Sequence, residues 1–478
     1  MSPVIIGIIF VAYTALLFAI AFLTGKKAGD EAYYRGNRRS PWFVVAYGMV
    51  GASLSGVTFM SVPGNVLREN FYYLPMVLGF VAGYIVIAKV LLPIYYRLNL
   101  TSIYGYLNMR FGLRSYKSGA AFFLLSRSLG ATLRMFLVIS VLHEFVFKAM
   151  GIPFSLAALI FILLILGYTF RGGIKTIVWT DTLQTTFMLA AVVISIVCIA
   201  RGMGWSLAGM LEAVKESPLS RMFDTDPMAP RFWVKQFVSG LFVTVTMTGL
   251  DQDMMQKNLS CRNLKDAQKN MYTCSGIILV MNFFFLVLGA ILCLYAQKNG
   301  IVCADTDQLF PAIAIRSLPS LAGLTFVIGV LSAAYSSADG ALTAVTTSFT
   351  IDILGVERRN LPEARRKKIR YAVHFCMAML FLALIILFNS VKNDSVINMV
   401  YDIAAYTYGP LLGLFVVGIC TEWKLNERFT PLVVVLAPAL SYAVNTVSRI
   451  CWGYHFGFEL LLLNGLLTVI GLYAIRKK

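Results

Sequence analysis

The chain has 478 residues, of which 58% are hydrophobic and 13% charged, with a formal charge of +18 and a mean hydropathy of +0.75. A soluble domain carries about 25% charged residues, so the composition excludes an ordinary soluble protein and points to an all-α polytopic membrane chain. The positive charge lies in short loops between apolar runs, which reads as membrane topology and excludes a nucleic-acid partner.

Apolar runs of about 20 residues predict helices near 4–24, 41–62, 71–96, 119–147, 151–170, 176–200, 233–254, 270–296, 320–345, 371–390, 396–420, 429–448 and 454–475, about 13 spans. No basic residue precedes the first run and no small-residue cleavage site follows it, so it reads as a retained helix. One set of alternate loops, with the C-terminus, holds 27 Lys and Arg, among them Lys26, Lys27, Lys257, the basic 353–370 loop and Lys478. The other set holds 11, including Lys148 and Lys392. That asymmetry places the N-terminus outside and the C-terminus in the cytoplasm, in a plasma membrane of the bacterial inner-membrane kind. In the 201–232 loop, Trp205, Leu207, Met210, Leu211 and Val214 recur at helical spacing and predict a short amphipathic surface helix. The eight cysteines form no CxxC pair, although Cys303 and Cys451 share the outer side, and the histidines (His143, His374, His455) are scattered, which argues against a metal centre.

Within the second run, Gly51–Gly64 combines the hydroxyls of Ser53, Ser55, Thr58 and Ser61 with three glycines and Pro63. A loosened helix is tolerated in lipid when its freed carbonyls line a polar cavity. Broken membrane helices of this kind are where transporters hold substrate and ion, although small residues also serve close helix packing. In the 320–345 run, Ala333, Ser336, Ser337 and Gly340 share one helical face. Two hydroxyls beside loosened carbonyls form an all-oxygen shell that suits Na⁺, a hard cation; the plainer reading is that each serine bonds back to its own helix. Asp339 on that helix and Asp181 on another are carboxylates inside spans. Each implies either a functional site or an ion pair with a base such as Arg127, Arg134 or Lys89.

Together, Gly51–Gly64, the run Tyr168 to Gln184 with Gly172-Gly173 and Trp179-Thr180-Asp181, the stretch Gln252 to Lys257, Ser336-Ser337 followed by Asp352, and Gly409 to Phe415 resemble the sodium:solute symporter family along nearly the whole chain, and within it the bacterial sodium/sialic acid symporters. The resemblance implies a leucine-transporter-type core of two inverted five-helix repeats. The chain would then be one integral membrane domain, with a leading helix and loop at 1–40, repeats at 41–200 and 233–420, a loop at 201–232 and two trailing helices at 421–478. It implies a main sodium site on the carbonyls of Gly51, Leu54 and Ala333 and the hydroxyls of Ser336 and Ser337, and a substrate site on Ser53, Ser55 and Thr58. Two departures stand out. Gly130 occupies the position of the arginine that grips a carboxylate, with Arg127 and Arg134 one turn to either side. Asp339 and Gly340 replace two serines of a second sodium shell that includes Asp181, so Asp181 and Asp339 either bind an ion or share a proton.

The resulting expectation is a sodium-coupled symporter, not an enzyme, importing a small carboxylate or acidic sugar derivative such as sialic acid by alternating access. Its partners are that solute, sodium and the lipid bilayer, with no obligate protein partner evident. A proton-coupled or sodium-independent transporter on the same fold and a membrane sensor are the alternatives.

Overall fold

A computed structural model of the chain describes residues 3–25, 30–303, 306–359, 361–390, 396–454 and 456–477. Lys26, Lys27, Lys392, His455 and Lys478 lie outside them. The described residues form helices and no β-strand. In chain order the main ones are α1 (Pro3–Gly25), α2 (Trp42–Ser53), α3 (Gly56–Glu69), α4 (Leu74–Val86), α5 (Leu113–Leu142), α6 (Phe154–Gly172), α7 (Ile174–Met203), α8 (Leu207–Glu216), α9 (Trp233–Thr244), α10 (Gln252–Leu259), α11 (Leu264–Lys298), α12 (Ser320–Ser348), α13 (Glu363–Ser390), α14 (Val396–Cys420), α15 (Thr430–Trp452) and α16 (Leu460–Ala474). Among the described residues, nine helices are long and apolar enough to cross a membrane, and the bent pair α2–α3 makes a tenth. The apolar part of α6 and the whole of α16 are shorter.

Helix α12 sits at the centre, packed on α7 and α5 and buried from Gly329 to Ser348. Its small residues permit this, because Gly, Ala, Ser and Thr let neighbouring backbones approach without a hydrophobic driving force. The same device joins α4 to α9. A Cβ added to Gly79 would stand 2.1 Å from the carbonyl oxygen of Phe237, and one added to Gly240 would stand 2.1 Å from that of Met76. The Gly172-Gly173 pair turns α6 into α7: Gly173 adopts φ +50°, a region that favours glycine, and a Cβ there would meet Tyr33 at 2.6 Å.

The surface helix of the 201–232 loop forms as α8, capped by Ser206, which accepts from the Gly209 amide at 3.1 Å. Met210 and Val214 are buried, whereas Leu207 and Leu211 face outward. Cys451 is an exposed free thiol.

The reciprocal glycine crossing makes a testable demand. Gly79→Val or Gly240→Val should cost about 1–3 kcal/mol through overpacking, read as a lower unfolding temperature of the purified protein in detergent. Wild-type stability in both variants would contradict the close α4–α9 contact.

Candidate functional site

Two breaks in the helices organise the interior. The first separates α2 from α3, which are bent by 54°. Leu54 and Ser55 leave helical geometry there, at φ −80°, ψ 4° and φ 9°, ψ 172°. The Gly51 carbonyl accepts from Ser336 Oγ at 3.2 Å, and the Ala333 carbonyl accepts from Ser337 Oγ at 3.0 Å. Four of the five residues expected at the main sodium site therefore share one oxygen cluster, and Leu54 stands at the break beside them. Gly51 must be small, since a Cβ would lie 2.2 Å from Thr185 Oγ1. That hydroxyl is buried, with no hydrogen-bond partner among the described residues.

The second break lies between α9 and α10. Residues Val245–Gly249 widen into a π-turn, and Leu250 and Asp251 leave the helix. The Tyr95 hydroxyl donates to the Gly249 carbonyl at 2.9 Å, and the Tyr104 hydroxyl donates to the Leu250 carbonyl at 2.8 Å. Asp251 caps α10 by accepting from the amides of Asp253 and Met254 and takes the Tyr408 hydroxyl at 2.5 Å. An unmet carbonyl inside an apolar body costs several kcal/mol, so these donors are what make the break tolerable.

Between the breaks lies a cavity of about 110 Å³. Every residue expected to contact substrate lines it: Ser53, Ser55, Thr58, Arg127 and Arg134. Ser53 Oγ lies 3.3 Å from the Tyr84 hydroxyl. Thr244 and Thr248 also line the cavity, but Thr246 does not join them, because its hydroxyl donates back to the Phe242 carbonyl at 2.8 Å. On one side the hydroxyls of Tyr73 and Tyr401 meet at 3.0 Å, with the Phe458 ring edge-on to Tyr401 at 4.6 Å between centroids. Tyr73 also lines a second hollow with Asn65, Glu69 and Gln236. The sequence offered no sign of Tyr73, Tyr84, Tyr401 or Asn282, which reach the cavity from three separate segments; only the topology joins them.

The buried charges differ from expectation. Arg127, 5% exposed, is engaged with Asp253 through Nη2 and stands 3.6 Å from Asp251. Arg134 is half-buried on the same wall and has no ion-pair partner among the described residues. Gly130 between them faces open space. Asp181 pairs with none of the bases expected for it. Its partner is Lys257, counted in the sequence as a cytoplasmic loop charge but 1% exposed and 2.8 Å from Asp181 Oδ2. Lys89, by contrast, is exposed. Lys257 also lies 3.4 Å from Asp253. Its contact with Asp181 is a close, fully buried ion pair. Asp339 takes neutral donors instead, the Tyr168 hydroxyl at 2.9 Å and the Gly340 amide at 2.6 Å. Asp352 accepts from Ser102, Tyr116 and Ser348 and holds one end of the helix packing together.

Comparison with known proteins gives the same frame. The sequence profile of the Sodium:solute symporter family matches residues 33–428. The chain is 25% identical over 422 residues to the sodium/sialic acid symporter SiaT of Proteus mirabilis, across 84% of this chain and 82% of that one. It is 23% identical over 476 residues to the sodium/sialic acid symporter NanT of Aliivibrio fischeri, across 96% and 91%. Its fold is similar to that of a Na⁺-coupled sialic acid symporter solved in a substrate-bound outward-open state, with a TM-score of 0.85 at 20% identity over 99% of each chain.

The two arginines should separate cleanly in a stability measurement. Arg127→Ala leaves buried carboxylates without their cation and should cost about 3–5 kcal/mol, seen as poor expression or a large fall in unfolding temperature. Arg134→Ala, which breaks no ion pair, should fold like the wild type. Equal losses in both would overturn this division.

Proposed function

The chain belongs to the sodium:solute symporter family, and within it we propose a sodium-coupled importer of a small organic carboxylate bearing hydroxyls, of the acidic-sugar class that includes sialic acid. The observation that carries the substrate class is the cavity lining. The Arg134 guanidinium, without an ion-pair partner among the described residues, stands among the hydroxyls of Ser53, Ser55, Thr58, Tyr84 and Thr248, with Phe80, Met247 and Ile278 supplying apolar wall. A guanidinium matches a carboxylate in shape as well as charge. Arg127, tied to Asp253, would hold the wall in place and leave the grip to Arg134. The SiaT and NanT relatives, named as sodium/sialic acid symporters, support the same class.

In this reading Na⁺ binds the oxygens of Gly51, Leu54, Ala333, Ser336 and Ser337, replacing the present hydrogen bonds. It braces the first broken helix against α12 and orders Ser53, Ser55 and Thr58 for substrate. Among the described residues, the buried carboxylates Asp181, Asp251 and Asp253 share two bases in ion-pair contact, Arg127 and Lys257, and Asp339 pairs with neither; negative charge in excess favours the entry of a cation. Tyr73 and Tyr401 would form the outer gate. The paired breaks at 54–55 and 245–251 fit two inverted repeats over 41–200 and 233–420. The loop charges fit a bacterial inner membrane with the N-terminus outside. Proton coupling is the second reading, favoured by Asp339, whose hydrogen-bond donors are all neutral.

Uptake into proteoliposomes tests this. Arg134→Ala should raise the KM for a carboxylate substrate about 10- to 100-fold, the loss of a charge-assisted hydrogen bond of about 1.5–3 kcal/mol, with the Lys variant in between. Ser337→Ala should raise the sodium concentration for half-maximal uptake about 10-fold while the protein stays folded. Unchanged carboxylate uptake in the first variant would overturn the substrate class. Uptake driven by a pH gradient alone would put the proton-coupled reading first.

A further inference from the structure

Lys257 stands where a mobile ion would otherwise be needed. Asp181 and Asp253 are fully buried carboxylates on different helices, α7 and α10. A buried carboxylate keeps its charge where a cation or hydrogen-bond donors meet it. The Lys257 ammonium supplies it, 2.8 Å from Asp181 and 3.4 Å from Asp253.

The opposite wall has been cleared for that amine. A Cβ built on Gly340 would lie 2.9 Å from Lys257 Nζ and 2.4 Å from Asp253 Oδ1. A serine there would collide with the pair, so the helix face that could offer a hydroxyl to a metal ion offers a bare backbone to an ammonium instead. Gly48 on α2 makes similar room on the other side, where a Cβ would meet the Asp181 Cβ at 3.0 Å. Two glycines on two helices thus shape one pocket around an Asp181–Lys257–Asp253 bridge.

We propose that Lys257 is a resident cation that takes the place of a second coupling sodium between Asp181 and Gly340, so that the protein moves one sodium per substrate. This rests on the sodium-coupled reading above. A tethered ammonium neutralises the carboxylates in every conformation but cannot leave with the substrate, so its charge takes no energy from the sodium gradient. It also ties the ion site to the cavity wall. Asp253 bridges Lys257 to Arg127, and the segment that carries Asp253 and Lys257 begins directly at the second helix break. Sodium arriving one turn away, at Ser336, therefore meets a charge network that is already closed.

The test is the ratio of radiolabelled sodium to labelled carboxylate substrate taken up by the wild-type protein in proteoliposomes. The expected ratio is one, with a sodium activation curve of Hill slope near one. A ratio of two would overturn the inference and leave symport standing. Uptake without any sodium flux would remove the sodium-coupled reading itself, and the inference with it. The double variant Lys257→Ser/Gly340→Ser replaces the ammonium with hydroxyls and should show a steeper sodium dependence, with a ratio approaching two. A folded double variant with wild-type slope and ratio would show that Lys257 does not stand in for an ion. Should the double variant fail to fold, the wild-type ratio still decides.

Discussion

Inside an apolar body every backbone group that leaves the helix ladder must be met by another part of the chain. The interior of this protein follows from how that is done at two places. At the first break the Gly51 carbonyl is met by Ser336 of α12. At the second, Gly249 and Leu250 are met by the tyrosines at 95 and 104. The two solutions differ in kind. The tyrosines bring a long rigid ring and a single hydroxyl, which closes the break. Ser336 and Ser337 bring short hydroxyls that lie beside the carbonyls of Gly51 and Ala333. The same requirement is thus met by a fixed strut on one side and by two short hydroxyls beside carbonyls on the other.

The charges extend this logic. Arg127, Asp253, Lys257 and Asp181 form a continuous buried chain from the cavity wall to the helix that carries Thr185. Buried ion pairs add little net stability, but removing one partner is costly. Such a chain therefore fixes an arrangement more than it strengthens a fold. Here the arrangement leaves Arg134 as the guanidinium on the cavity wall without a paired carboxylate among the described residues.

Much of this was legible in the sequence. Helices lie on the expected apolar stretches, because lipid demands long continuous runs, although among the described residues nine of them, and a tenth as a bent pair, are long and apolar enough to span. The break at Gly51–Gly64 was visible because serines, glycines and a proline are costly in such a run without a reason. Ser336 and Ser337 were visible as a pair on a stripe of small residues. Lys257 was not. A lysine just beyond an apolar run reads as loop charge, and only the return of α10 into the interior makes it a buried partner of Asp181. The choice between Arg127 and Arg134 was hidden for the same reason, since it depends on where Asp251 and Asp253 stand. Thr246 stays out of the cavity that Thr244 and Thr248 line because its hydroxyl bonds back to the preceding turn, which the threonine pattern alone does not reveal.

The account rests on one coupling, that between sodium at α12 and substrate at the first helix break. The most direct measurement is the sodium affinity of the purified wild-type protein, by calorimetry or thermal stabilisation, with and without a saturating carboxylate substrate. Linkage requires that substrate tighten sodium binding by the same factor that sodium tightens substrate binding, and the geometry predicts a factor well above one in both directions. Substrate binding that is indifferent to sodium would contradict the account at its centre.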